Sequence, residues 1–320
     1  MEVSDPDQHF QTLWSDVPAE TSFPAKRPLL AHYTSMQVAH KILTDQEIWF
    51  SSPFLMNDHQ EVSLVLSTAA ELCRSSSDLR AALGPQCVDS FFGQLAAIEH
   101  QFWSDHALDT YVLCFSEHNK LDNDGLLAMW RGYGGNGSGA ALVFNSEGLQ
   151  PRADSPFILA PVMYLSTELR HQWIITKITE FSALLRSISV PVEQLHLAAF
   201  FLFERVKQFA LFTKHPGFSG EQEWRVVYVK TRDKGNVLRP MFDSHIGPRG
   251  LEPKLKFKIQ PLTPQAPQEF DIESLIERII LGPTTAGPLA RVAFERLLEK
   301  AGLSSLRSRV FASSIPYRST

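Results

Sequence analysis

The chain has 320 residues, 44% of them apolar and 20% charged, and its 30 Lys and Arg against 35 Asp and Glu leave a formal charge of −5. This composition describes a core-forming chain and excludes collagen-like, coiled-coil and wholly disordered classes. The charge balance excludes bulk coating of nucleic acid, though not a local basic groove.

The N-terminal residues carry Glu2, Asp5 and Asp7 where a secretory leader has Lys or Arg followed by an apolar stretch, so the chain reads as cytoplasmic. Residues 1–27 are expected to form an arm pinned by Phe10, Leu13, Trp14 and Phe23. A strand is predicted at 29–33, then a helix through Ile42 and Leu43 with Thr34 and Gln37 as its capping box, then a second strand at 47–52 stopped by Pro53. Residues 59–109 read as helical, with breaks at Ser75-Ser76-Ser77 and Gly84-Pro85. A strand returns at 111–116, Asp124 is expected to cap a short helix through Trp130, and a further strand covers 139–144.

Two long helices are predicted over 167–212, split near Pro191, and they hold much of the unusual complement of 22 Phe. Their spacing makes them a buried helical layer in preference to a partner surface. Strands follow at 223–229, 255–259 and 279–281, then a helix at about 286–301 and a last strand at 310–312. The fold class expected is α+β, one elaborated domain over 28–320 with a mixed sheet and helical insertions at about 59–109 and 167–212.

The longest apolar run, Leu197–Phe203, is far short of the roughly 20 residues of a membrane span. Cys73, Cys87 and Cys114 have no C-x-x-C spacing, and the His residues form no ligand-spaced cluster, so neither a disulfide framework nor a metal site is expected. The glycine-rich stretch Gly132–Gly139 lacks the Lys-Ser/Thr of a phosphate loop and precedes a strand, so it reads as a turn. Leu281-Gly282-Pro283-Thr284-Thr285 has the strand, loop, helix order of an anion site, but plain capping by Thr284 or Thr285 is the simpler reading.

Polar residues cluster at strand ends, where sheets commonly build sites. These are His32-Tyr33-Thr34-Ser35, Ser51-Ser52, Asn57-Asp58 and Glu221-Gln222-Glu223. Strand periodicity places Glu221 and Glu223 on one face. Taken singly, His32 reads as a half-buried histidine, Asn57-Asp58 as a turn, and Glu223 with Arg225 as an ion pair.

Together, Tyr33-Thr34-Ser35, Phe50-Ser51-Ser52-Pro53 with Asn57-Asp58, Cys114-Phe115-Ser116, Met129-Trp130 with Tyr133, and Glu221-Gln222-Glu223-Trp224-Arg225 resemble the bacterial domain-of-unknown-function family twenty-nine seventy-one. A more distant pattern, a His on the first strand, a serine-bearing second strand and a late Glu-x-Glu, resembles the ADP-ribosyltransferase superfamily. That resemblance implies a split β-sheet core and NAD as substrate. Glu223 would stabilise an oxocarbenium ion and bind a ribose hydroxyl, while Glu221 would orient or deprotonate the acceptor. His32, Tyr33, Thr34, Ser51 and Ser52 would hold the dinucleotide, with Ser51 or Ser52 steadying Glu223. Asn57, Asp58, Trp130 and Arg225 are accessory candidates.

On this reading His32, Ser51 or Ser52, and Glu223 converge on one cleft. One branch of the superfamily has Arg in place of His32 and the other has Tyr in place of Ser51-Ser52, so the chain combines both patterns. The function expected is an NAD-dependent effector or toxin, in phage defence, with a protein or nucleic-acid acceptor and a cognate inhibitor or defence-system partner. The alternatives are a metal-dependent nuclease built on Asp58, Glu221 and Glu223 with Lys214 or Lys230, and a non-enzymatic sensor or binding domain.

Overall fold

The computed structural model describes residues 9–17, 29–55, 59–147, 155–188, 190–247, 250–259, 271–284 and 287–317. The chain opens with β1 (Leu29–Thr34), α1 (Met36–Asp45) and β2 (Glu47–Ser51), then α2 (His59–Ser75), α3 (Ser77–Leu83) and α4 (Val88–Gln101). Next come β3 (Tyr111–His118), α5 (Leu127–Gly132), β4 (Ala140–Asn145), β5 (Phe157–Pro161), β6 (Met163–Tyr164), α6 (Thr167–Ser187), α7 (Leu195–Leu211) and β7 (Thr213–Lys214). The last part holds β8 (Glu223–Tyr228), β9 (Phe242–Gly247), β10 (Gly250–Lys258), β11 (Ile276–Leu281), α8 (Pro288–Lys300) and β12 (Val310–Ala312). The class is α+β, as the sequence pattern requires. No helix among the described residues is long and apolar enough to cross a membrane.

Two compact units emerge from the packing. The helical unit takes its described residues from Met1–Ala19, Ser52–Thr110 and Val162–Gly217, and so contains both stretches expected as helical insertions. Its core accounts for part of the complement of Phe: Phe91, Phe102, Phe181, Phe203 and Phe209 are buried there. The ring of Phe10 stacks on Phe201 at 5.3 Å. Burying each such side chain stabilises by about 1.5–3 kcal/mol.

The sheet unit comprises the described residues of Glu20–Ser51, Tyr111–Pro161 and Phe218–Thr320. Its strand order is β12-β11-β4-β1-β3-β2-β10-β9, with β8 joining β3 to β5. Strand β3 is the branch point. Ser116 has Ala31 of β1 on one edge and Glu223 of β8 on the other, while Val112 has Ser51 of β2 and Val227 of β8. Strands β1 and β2 therefore share one edge of β3 and part between these contacts.

Side-chain parity defines two faces. Leu30, Phe50, Leu113, Phe115, Trp224, Leu255 and Phe257 join the large core over one face, with α1 and α8 contributing Ile42, Leu43, Phe294 and Leu298. The smaller cluster of Ala31, Tyr33, Trp130, Ala141, Val143 and Ile280 lies on the other.

Two capping expectations are corrected. Helix α1 is capped by Ser35, whose Oγ accepts from Val38 N at 3.2 Å, because Thr34 is still in the strand. Helix α5 begins after Leu126 without a side-chain cap. Asp124 instead accepts the Trp130 indole N–H on its carbonyl at 2.8 Å and the Ser314 amide on its carboxylate.

Candidate functional site

The Glu-x-Glu segment is not one continuous strand. Glu221 ends a 3₁₀ turn, Gln222 has φ +46, and β8 starts only at Glu223. The period-two argument that put Glu221 and Glu223 on one face therefore stops short of Glu221, a correction imposed by the left-handed residue between them. Glu221 is nonetheless fixed near the strand end. Its carbonyl accepts from Ser116 Oγ at 2.6 Å and its Oε1 accepts from the Tyr133 hydroxyl at 3.2 Å.

Glu223 and Arg225 do share a strand face. Arg225 donates to the Glu223 carboxylate through Nε at 2.8 Å and Nη2 at 3.1 Å, and both side chains are buried. Two charge-assisted bonds in a fork fix the plane of the carboxylate. Directly across on β3, Ser116 faces Glu223 and Cys114 faces Arg225.

Ser51 belongs to the same face, since its register partner Val112 has the parity of Cys114 and Ser116. Its hydroxyl accepts from Lys254 Nζ at 2.8 Å, and the same ammonium pairs with Glu252 at 2.9 Å. Ser51 is thus tied to Lys254 and not to Glu223. Ser52 packs in the helical unit, with a buried hydroxyl that has no hydrogen-bond partner among the described residues. Asn57 and Asp58 lie outside the described residues.

His32 has the opposite parity. Ala31 is the residue level with Ser116 and Glu223, so His32 projects from the other face, where its ring meets Phe115 edge-on at 5.8 Å. The expected convergence of His32 with Glu223 on one cleft is therefore not realised, because the register sets them one residue out of phase. His32 has a visible task where it sits. Its Nδ1 lies 3.0 Å from the Cys114 carbonyl, bridging the edge of β3 exactly where β1 and β2 part. A carbonyl only accepts, so Nδ1 carries the proton. Burial holds the imidazole pKa below its ordinary value, against the raising effect of that hydrogen bond.

Tyr33 points to the Glu223 side but is buried, edge-on to Trp130 at 4.8 Å, and its hydroxyl accepts from Leu126 N at 2.8 Å. Burial pushes its phenol up to about 12. Trp130 is wholly buried, and Thr34 is buried at the end of β1. These three build the floor of the site rather than its surface.

The glycine-rich stretch is a turn, as its context implies. Gly137 N donates to Trp130 O at 3.0 Å and Gly139 N to Gly134 O at 2.9 Å, while Thr284 N donates to Gly137 O at 3.0 Å. Its glycines serve close approach: a Cβ on Gly139 would lie 2.0 Å from the Thr34 carbonyl.

Residues 129–226 match the model of the family described as protein of unknown function DUF2971. The matched segment is less than a third of the chain. The family resemblance read from the motifs is borne out by this match. The matched segment includes Trp130, Tyr133, Glu221, Glu223 and Arg225, while His32, Ser51 and Ser116 lie before it. No curated protein matches the chain, and no solved structure does.

Of the polar residues around the DUF2971 motifs, Lys254 and Glu252 escaped the sequence reading. Their only signal was the alternation of Glu252, Lys254 and Lys256 along one strand face. Ser116 and Tyr133 were visible as motif letters without a role. No group of His, Cys, Asp or Glu among the described residues is arranged to hold a metal ion.

Proposed function

We propose that the sheet face around Glu221 and Glu223 is the active site of an NAD-dependent ADP-ribosyltransferase-like enzyme. One observation carries the reading: Ser51, Ser116 and the Glu223–Arg225 pair, distant in sequence, sit on one face of a branched sheet, with Glu221 hydrogen-bonded to Ser116 at its margin.

In the proposed reaction the bond between nicotinamide and ribose C1′ breaks, and its electron pair leaves with nicotinamide. The positive charge left on the ribose is stabilised by Glu223, a carboxylate already oriented by Arg225 before charge develops. The acceptor nucleophile then bonds to C1′, and its proton passes to Glu221, which is half-buried beside the Tyr133 hydroxyl. Lys254 and Ser51 supply donors to the NAD pyrophosphate. His32 acts as a positioning residue from behind, keeping β3 in place where β1 and β2 part. An intracellular effector or toxin role, in defence against phage with a cognate inhibitor, is part of the same proposal.

The closed Glu223–Arg225 fork also favours a second reading. Both carboxylate oxygens are already engaged, as suits a binding or sensor domain that kept the sheet without turnover.

NAD labelled in the adenylate phosphate, incubated with the protein and either cell lysate or nucleic acid, separates the two. Transfer of label or release of nicotinamide, lost in Glu221→Gln and Glu223→Gln variants whose thermal unfolding stays cooperative, supports the enzyme. No turnover with any acceptor, and no difference between wild type and variants, leaves the binding domain.

A further inference from the structure

Beside the Glu223 face, on the same side of the sheet, lies a cluster of which the proposed chemistry uses only Lys254 and Ser51. Ile48 and Phe50 turn into the core, so Trp49 projects with Ser51 to the other side. The half-buried Trp49 ring has Lys41 Nζ 5.1 Å and Lys256 Nζ 5.0 Å from its centre. The ring of His245 lies 5.0 Å away, tilted by 52°. Lys254 and Ser51 come next along the same face.

The counter-charges around this cluster are unequal. Lys254 is held by Glu252, both mostly buried. Lys256 is held by Asp243, whose side chain is 58% exposed. Lys41 forms no ion pair among the described residues. An exposed pair is weak and readily exchanged for another anion, so two of the three lysines are available to phosphate without breaking a buried contact.

We infer that this cluster binds single-stranded nucleic acid, and that nucleic acid is the acceptor met by the Glu221/Glu223 site. An aromatic ring flanked by cations is the combination that a polynucleotide requires. A base stacks on the indole, and the neighbouring phosphates take the lysines. The overall charge of −5 restricts such binding to short range, which suits one or two nucleotides docked beside a cleft and not a coated strand. Register puts the cluster on the same sheet face as the proposed chemistry: Ser51 lies against Val112 of β3, which lies against Val227 of β8, two strand spacings or ~10 Å, and Glu223 is four residues further along β8. The choice of acceptor rests on the transferase reading, whereas binding itself does not.

Anisotropy of a fluorescein-labelled single-stranded oligonucleotide, titrated with the whole protein at several salt concentrations without NAD, tests the inference. Binding in the micromolar range, weakened about tenfold or more by Trp49→Ala and largely retained in Trp49→Phe, is expected. The Lys41→Ala and Lys256→Ala variants, at half-buried positions, are each expected to lower the slope of log affinity against log salt by about 0.7. No binding at low salt, or binding that neither Trp49→Ala nor the lysine pair alters, overturns it. Transfer of labelled ADP-ribose to protein alone, with no oligonucleotide bound, overturns this inference and leaves the transferase reading standing. Oligonucleotide binding with no NAD turnover leaves the binding site and removes the transferase.

Discussion

His32 and Glu223 leave opposite faces of the same sheet, although both sit on strands hydrogen-bonded to β3 and only one residue separates their levels. The consequence is a division of labour. Glu223 faces the motif residues, while His32 bridges the edge of β3 from the core side through the Cys114 carbonyl. Replacing His32 with Leu removes that donor and is expected to destabilise the fold by about 1–3 kcal/mol. Asn retains a donor at nearly the same place and should recover most of the loss, as measured by urea unfolding.

The pH dependence follows from the direction of the His32 shift. Its folded pKa is lowered by burial, so below the ordinary value of 6.5 the unfolded chain takes up a proton that the folded chain refuses. Stability is therefore full above about pH 6.5 and falls as pH drops towards the folded pKa. His118, also lowered mainly by burial, acts in the same direction. Denaturation between pH 7 and 5 should show this decline, and His32→Asn should flatten part of it. An NMR titration showing His32 protonated at its ordinary pKa would count against the structural assignment.

The Glu223–Arg225 fork makes an unequal set of variants. Arg225→Met strands a buried carboxylate and is expected to cost about 3–5 kcal/mol, whereas Glu223→Gln with Arg225→Met together should cost less than Arg225→Met alone. A double-mutant cycle by thermal or urea unfolding reads the coupling directly. Equal losses for the single and double variants would mean that the fork is not formed.

In the helical unit, Asp16 neutralises two buried cations at once. Lys177 Nζ lies 3.0 Å from Oδ1 and Arg205 Nη2 lies 2.8 Å from Oδ2, while Trp173 Nε1 donates to Oδ2 at 3.1 Å. These donors hold the Asp16 carboxyl below its ordinary value against the raising effect of burial. The contribution is present above the unfolded value of 3.8 and is lost as pH falls through the folded pKa. Asp16→Asn is expected to destabilise by about 1–3 kcal/mol at pH 7, a discounted figure because Asp16 is partly exposed, and to remove this acid-sensitive component.

Gly139 is a strict test of the turn between α5 and β4. A methyl group there would lie 2.0 Å from the Thr34 carbonyl and 2.8 Å from that of Gly134, both backbone atoms that cannot swing aside. Gly139→Ala should give insoluble protein or lower the unfolding midpoint sharply. At Gly93, where a Cβ meets nothing within 4 Å, the same exchange on the helix should be neutral or mildly stabilising.

Much of this protein is set by local sequence. The runs at 29–34, 47–51, 111–118 and 223–228 have the β-branched and aromatic content of strands, and the helices break at the serine and glycine-proline signals that punctuate them. The motifs also pointed to the family whose model matches residues 129–226 and to most of the polar cluster, because sites are commonly built from polar groups at strand ends. Strands β5 and β9 went unseen: Phe157–Pro161 draws its pairing from the distant β8, and Phe242–Gly247 is polar or glycine at four of its six positions although it pairs with the adjoining β10.

What only the tertiary structure decided is which residues share a face. Periodicity within a strand places Glu223 with Arg225, but nothing in the sequence sets the phase of β1 against β3 and β8. That phase depends on which backbone groups pair, and a shift of one residue reverses every side chain. The same holds for Lys254, brought to Ser51 by a pairing across 203 residues.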